Sequence, residues 1–185
     1  MARSGRNLRA LGGASENATL AFDALSSQEF EAVPKSEKEA WFMSAAIHCD
    51  LSRLAVSLSE CEPGVAKLLS MADLISKLYE IEKWYSGAGA KRLREIAAAK
   101  TCGTSLVDHT LKEMKALHPI SKVDKYRIYR NKVGYHYDVN TPQYLQRFAK
   151  EDSDAFFALL LSFVRFSGEW ASLTTKVVRA HAADA

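Results

Sequence analysis

The chain has 185 residues, of which 48% are hydrophobic and 25% charged, with four prolines. That composition supports a substantial buried core and argues against a disordered or collagen-like chain. The formal charge of +3, from 25 Lys and Arg against 22 Asp and Glu, is too mild to identify a polyanionic partner by itself.

Residues 1–20 mix Gly, Ser, Asn and Arg with scattered leucines and hold no sustained period. They read as a flexible segment ahead of one helical-bundle domain over 21–185. They also lack the continuous apolar stretch of a secretory signal. From Ser36 the pattern becomes helical. Ser36 and Glu39 have the spacing of a capping box, and Trp41, Ala45, Leu51, Ala55 and Leu58 continue the period to about Glu60.

Pro63-Gly64 restarts the chain, with Pro63 suited to a first helical turn, and a second helix runs to Trp84, where Gly87-Ala88-Gly89 is expected to end it. A third helical region from about Ala90 is interrupted near Thr101-Cys102-Gly103-Thr104 and resumes to Leu117, before His118-Pro119. Ser121 caps a fourth helix through Val123, Tyr126/Arg127, Arg130 and Val133. Asn140-Thr141-Pro142 opens a short helix to about Lys150, and Ser153-Asp154 precedes a long apolar one from Ala155 to about Val178. No segment alternates as a strand does. The expected fold is all-α, a bundle of four to five main helices. The most apolar run, Ala155–Val164, stops at Arg165 and is too short to cross a bilayer, so a cytoplasmic protein with no membrane contact is expected.

Charge is unevenly spread. Between Lys112 and Lys132 stand seven basic side chains and two acidic ones, Glu113 and Asp124. This cationic segment leads into KYRIYRNKVGYHYD, residues 125–138, where Arg130-Asn131 is followed by Gly134 and His136. In an unbroken helix Arg130 and His136 would lie about 120° apart and about 9 Å along the axis. A break at Gly134 would let them converge. Together they suit phosphodiester chemistry: an imidazole near its ordinary pKa moves protons at the 2′-hydroxyl or the leaving oxygen, a guanidinium holds the phosphate, and Asn131 orients either. One histidine does not easily perform both transfers, which calls for a two-fold dimer and no metal.

RNKVGYH, residues 130–136, resembles the R-x(4–6)-H motif of HEPN domains, with Asn131 at the polar position after the arginine. The resemblance covers the bundle loosely, over about 36–180, and is sharp only at 130–136. It implies an up-and-down helical arrangement and a metal-independent, cofactor-free endoribonuclease that acts as a homodimer on single-stranded RNA in a toxin or phage-defence role. Arg130, Asn131 and His136 would be catalytic, and Lys125, Arg127, Lys132 and Tyr137 would bind RNA. An antitoxin partner is implied too, but Asp138 stands where nucleotidyltransferase-paired toxins carry their modified tyrosine, which sets this chain apart from that regulation.

Each residue also has a plainer role. The cations can form a solvated face, and His136 can be a hydrogen-bonded residue at a helix end. Trp41, Trp84, Phe156, Phe157, Phe163 and Phe166 read as packing rather than as base-stacking platforms. His48-Cys49 with Cys61 and Cys102 matches no zinc spacing, and the odd cysteine number suits a reducing compartment. Glu80 or Glu82 is a candidate ion-pair partner for Arg130. The alternative function is a non-catalytic helical module for interaction or nucleotide binding.

Overall fold

The computed structural model describes residues 2–98, 103–117, 119–134, 138–151 and 153–184. Among these residues the protein is helical, with no strand, and seven helices have eight or more residues: α1 (Ala2–Asp23), α2 (Lys35–Glu60), α3 (Val65–Trp84), α4 (Ala90–Ala98), α5 (Gly103–Leu117), α6 (Thr141–Phe148) and α7 (Ser153–Asp184). The all-α expectation holds. The helix count exceeds the expected four or five main helices.

One reason is α1, which occupies the stretch expected to be flexible. Its buried positions are small side chains: Ala14, Ala21 and the following Ala24 are buried and Ala18 packs beside them, with Leu20 and the Phe22–Phe42 ring contact at their edge. Alanines at helical spacing carry little hydrophobic signal, yet they let α1 lie close to α2. Around them Phe30, Val33, Trp41, Ala45 and Val178 complete a small second core. Trp41 Nε1 donates to Thr175 Oγ1 (3.0 Å), and Thr175 Oγ1 also lies 3.5 Å from Asn17 Oδ1, so the α1, α2 and α7 contacts meet there.

The long helices α2 and α7 run antiparallel. Trp41 meets Thr175, and seven residues on, His48 Nδ1 lies 2.9 Å from Ser167 Oγ. Their inward faces join α3, α4 and α5 in the main core, whose largest enclosed side chains include Tyr85, Tyr126, Tyr129, Phe148, Phe156 and Phe163. The aromatic residues read as packing are in these cores or packed against them. The region Ser153–Arg179 of α7 is long and apolar enough to cross a membrane, with mean hydropathy 1.2, and half of that window is buried inside the protein. The short apolar run therefore understated this helix, which continues through Arg165.

Helix ends differ from expectation by small steps. Pro34 precedes α2 as its cap, with Glu37 N–H donating to its carbonyl (2.9 Å), so Ser36 is already inside the first turn and forms no capping box. Pro63 falls outside α3, and Gly64, at φ 144°, makes the entry turn in a conformation that favours glycine. The expected stop at Gly87-Ala88-Gly89 does not occur. The backbone widens into a π-helical turn over Tyr85–Gly89 and continues into α4. A Cβ on Gly89 would stand 2.8 Å from Trp84 Cζ3, so glycine is what lets the indole lie across the turn. Of the expected break at Thr101-Cys102-Gly103-Thr104, the first two residues lie outside the described ones, and Gly103 and Thr104 open α5.

Candidate functional site

Residues 120–134 are helical, but their winding changes along the way. A short α turn (Ile120–Val123) tightens to 3₁₀ (Asp124–Tyr126), relaxes to one α turn (Arg127–Tyr129) and widens to a π turn (Arg130–Gly134). In 3₁₀ winding, side chains three apart eclipse, and Val123, Tyr126 and Tyr129 accordingly all face the core. Val133 follows four residues later. Tyr129 stacks on Phe148 with ring centres 4.1 Å apart and an interplanar angle of 13°, and its hydroxyl donates to Glu151 Oε1 (3.0 Å). Tyr126 sits edge-on to Phe156 at 5.3 Å. The expected inward set had Arg130 in place of Tyr129. The tightened winding moves the inward position back by one residue and leaves Arg130 half-buried at the edge of the core.

There Arg130 meets α3. Its Nη2 lies 3.2 Å from Glu80 Oε1, and its guanidinium carbon is 4.8 Å from the centre of the Tyr79 ring. The Tyr79 hydroxyl donates to Asp124 Oδ1 (3.0 Å). Burial, followed by the hydrogen bond to Asp124, pushes the Tyr79 phenol up to about 12. The ion pair anticipated with Glu80 therefore forms, but at the surface. The Arg130 side chain is 26% exposed and that of Glu80 54%.

The chain leaves the helical axis after this turn. Lys132 Nζ pairs with Asp138 Oδ2 (3.0 Å), and Thr141 Oγ1 donates to the Lys132 carbonyl (3.2 Å). Nine residues of continued α-helix would separate those last two positions by about 13.5 Å along the axis. Asp138 also accepts from the Asn140 amide (2.8 Å). That amide bond and then the Lys132 ammonium hold the Asp138 carboxyl below its usual range, and the Asp138 hydrogen bond raises Lys132. The clasp ties Lys132 to Asp138 and Thr141.

Of the proposed catalytic residues, Arg130 and Asn131 stand on the π turn, with Asn131 exposed. His136 lies outside the described residues, as does Tyr137. Among the proposed RNA-binding residues, Lys125 and Arg127 are exposed, Lys125 with its ammonium 4.6 Å over the Tyr126 ring, and Lys132 is engaged by Asp138. Sequence reading missed Tyr79, Asp124 and the Lys132–Asp138 clasp. Tyr79 falls in the helical period of its segment with Ile75 and Leu78, and nothing local ties it to Asp124, 45 positions on.

The cleft of about 380 Å³ at the start of α2, lined by Ser36, Met43, Trp84, Lys91 and Arg92 among others, contains none of the motif residues. Among the described residues, no group of three or more His, Cys, Asp or Glu is placed to hold a metal ion. Comparison with protein-family models, curated proteins and solved structures gave no match.

Proposed function

We propose that the protein is a metal-independent endoribonuclease of HEPN type, acting as a homodimer on single-stranded RNA, with a toxin or phage-defence role. The observation that carries this reading is the fold-back after the π turn. The motif arginine occupies the helical turn beside which Lys132, Asp138 and Thr141 draw together, and that approach supports a shared arginine–histidine site. The all-helical architecture accords with it.

In this reading His136 takes the proton from a 2′-hydroxyl, the 2′-oxygen attacks phosphorus, and the bond to the 5′-oxygen breaks as a second His136, from the other copy, supplies a proton. Arg130 stabilises the charge that develops on the phosphoryl oxygens, and Asn131 orients the group. The products are a 2′,3′-cyclic phosphate and a 5′-hydroxyl. Val139 supports assembly near the motif: it is 91% exposed, the most exposed large apolar side chain among the described residues, and follows the clasp residue Asp138.

A panel of single-stranded RNAs incubated with purified protein in EDTA should be cut to cyclic-phosphate ends while single-stranded DNA stays intact. His136→Ala should lower the rate about 10²–10⁴-fold with helical content unchanged, and Arg130→Ala should lower it as well. Equal background cleavage by wild type and both variants would end the catalytic reading. The second reading, a non-catalytic helical module for interaction or nucleotide binding, draws on the contacts of Arg130 with Glu80 and Tyr79. It requires that Arg130→Ala weaken partner binding or the fold while RNA remains uncut by the wild type.

A further inference from the structure

Neighbouring residues on α3 hold the Arg130 guanidinium in two different ways. Glu80 binds it through charge at 3.2 Å, on a side chain more than half exposed. Tyr79 supports it with its ring face at 4.8 Å and is itself fastened by its hydroxyl to Asp124 at 3.0 Å. The first contact has its carboxylate half open to solvent, where it can be exchanged, since ion pairs with an exposed partner contribute little. The second is a half-buried aromatic surface tied at its far end, on which a guanidinium rests with or without a carboxylate present.

A carboxylate and a phosphodiester offer a guanidinium the same forked pair of charged oxygens. We propose that Glu80 is a built-in stand-in for phosphate: its carboxylate occupies Arg130 in the free protein and gives way to a phosphodiester of single-stranded RNA, while Tyr79 retains the guanidinium. The choice of RNA rests on the nuclease reading; the exchange itself concerns binding alone. Glu80 is then a positioning residue that keeps Arg130 oriented between ligands and weakens binding to any strand that cannot displace it. Arg127, exposed on the same segment, adds to the cationic field that draws the strand in, and Asp124 and Glu80 are the acidic groups opposing it.

The test is fluorescence anisotropy with labelled 2′-O-methyl single-stranded RNA, which cannot be cut through its 2′-oxygen, at about 50 mM salt where phosphate contacts are strong. Glu80→Gln should bind about two- to fivefold tighter than wild type, the factor that matches a surface ion pair. Arg130→Gln should bind more weakly, and adding Glu80→Gln to it should bring no gain, because the two residues act as one unit. Circular dichroism of each variant confirms that helix content is kept. The proposal is overturned if Glu80→Gln binds no tighter, if it gains as much without Arg130 as with it, or if neither wild type nor Glu80→Gln binds. Cleavage of unmodified RNA by the same proteins is scored separately. The binding pattern without cleavage removes the nuclease reading and leaves the role of Glu80; cleavage without the pattern does the reverse.

Discussion

Asp138 is where residue chemistry bears most directly on the motif. Its carboxylate joins two points of the chain, the Asn140 amide and the Lys132 ammonium. Because its folded pKa is depressed, the stabilisation is fully present above the unfolded value of about 3.9 and is lost as pH falls through the folded value. Lys132 is the opposite case. Its folded pKa is raised, so its contribution is present below the unfolded value and lost as pH rises through the folded one. Thermal melts of wild type and Asp138→Asn should therefore differ at neutral pH and converge below about pH 4, with the variant showing the flatter acid limb. Parallel curves across that range would mean that the clasp contributes nothing to stability.

At the scale of elements, the two π turns act differently. The turn at Tyr85–Gly89 joins α3 to α4 without a break, and its cause is packing: the Trp84 indole crosses Gly89 and sits edge-on to Trp170 with ring centres 6.3 Å apart. Gly89→Ala places a methyl group 2.8 Å from that ring and 3.0 Å from the Trp84 carbonyl oxygen and should cost about 1–3 kcal/mol in urea unfolding, because the carbonyl belongs to the turn itself and cannot swing away as a side chain can. Gly87→Ala has open space in front of its Cβ and should be neutral or mildly stabilising. Equal effects at the two glycines would dismiss the close-packing account. The turn at Arg130–Gly134 follows instead from what comes before it. Tyr126 and Tyr129 are both locked among aromatic rings, and the backbone has to wind tightly to place them three apart and then widen to bring in Val133.

At the scale of the whole molecule, assembly turns on an exposed apolar side chain next to the described part of the motif. Val139 is 91% exposed beside the clasp, and Leu161 on α7 is 43% exposed. In the proposed dimer Val139 is covered by the second copy. Light scattering at micromolar concentration should report twice the monomer mass for wild type. Val139→Asp should shift it towards monomer and lower RNA cleavage by a similar factor, with the melting temperature of the monomeric fold little changed. A wild-type monomer would end the two-histidine mechanism, and a Val139→Asp dimer would move the interface elsewhere.

The sequence alone determined the all-helical class, because period-3.6 apolar spacing runs through the major segments from Ser36 onward with no competing alternation. It also placed α2, α3, α5 and α7 closely, since proline, glycine and the loss of period punctuate their ends. It placed Arg130 and Asn131 on a helical stretch, as found; the break expected after Gly134 falls at residues outside the described ones. Only the tertiary structure decided the rest. The alanine face of α1 has no meaning until α2 lies beside it. The widening at Tyr85–Gly89 depends on an indole that must lie somewhere, and a local reading of Gly-Ala-Gly can only see a stop. Whether Arg130 or Tyr129 faces inward turns on a change of winding set by Phe148 and Phe156. The Glu80–Tyr79 seat joins residues some fifty positions apart, a distance over which helical spacing carries no register, and only the packing of α3 against residues 124–134 brings them together.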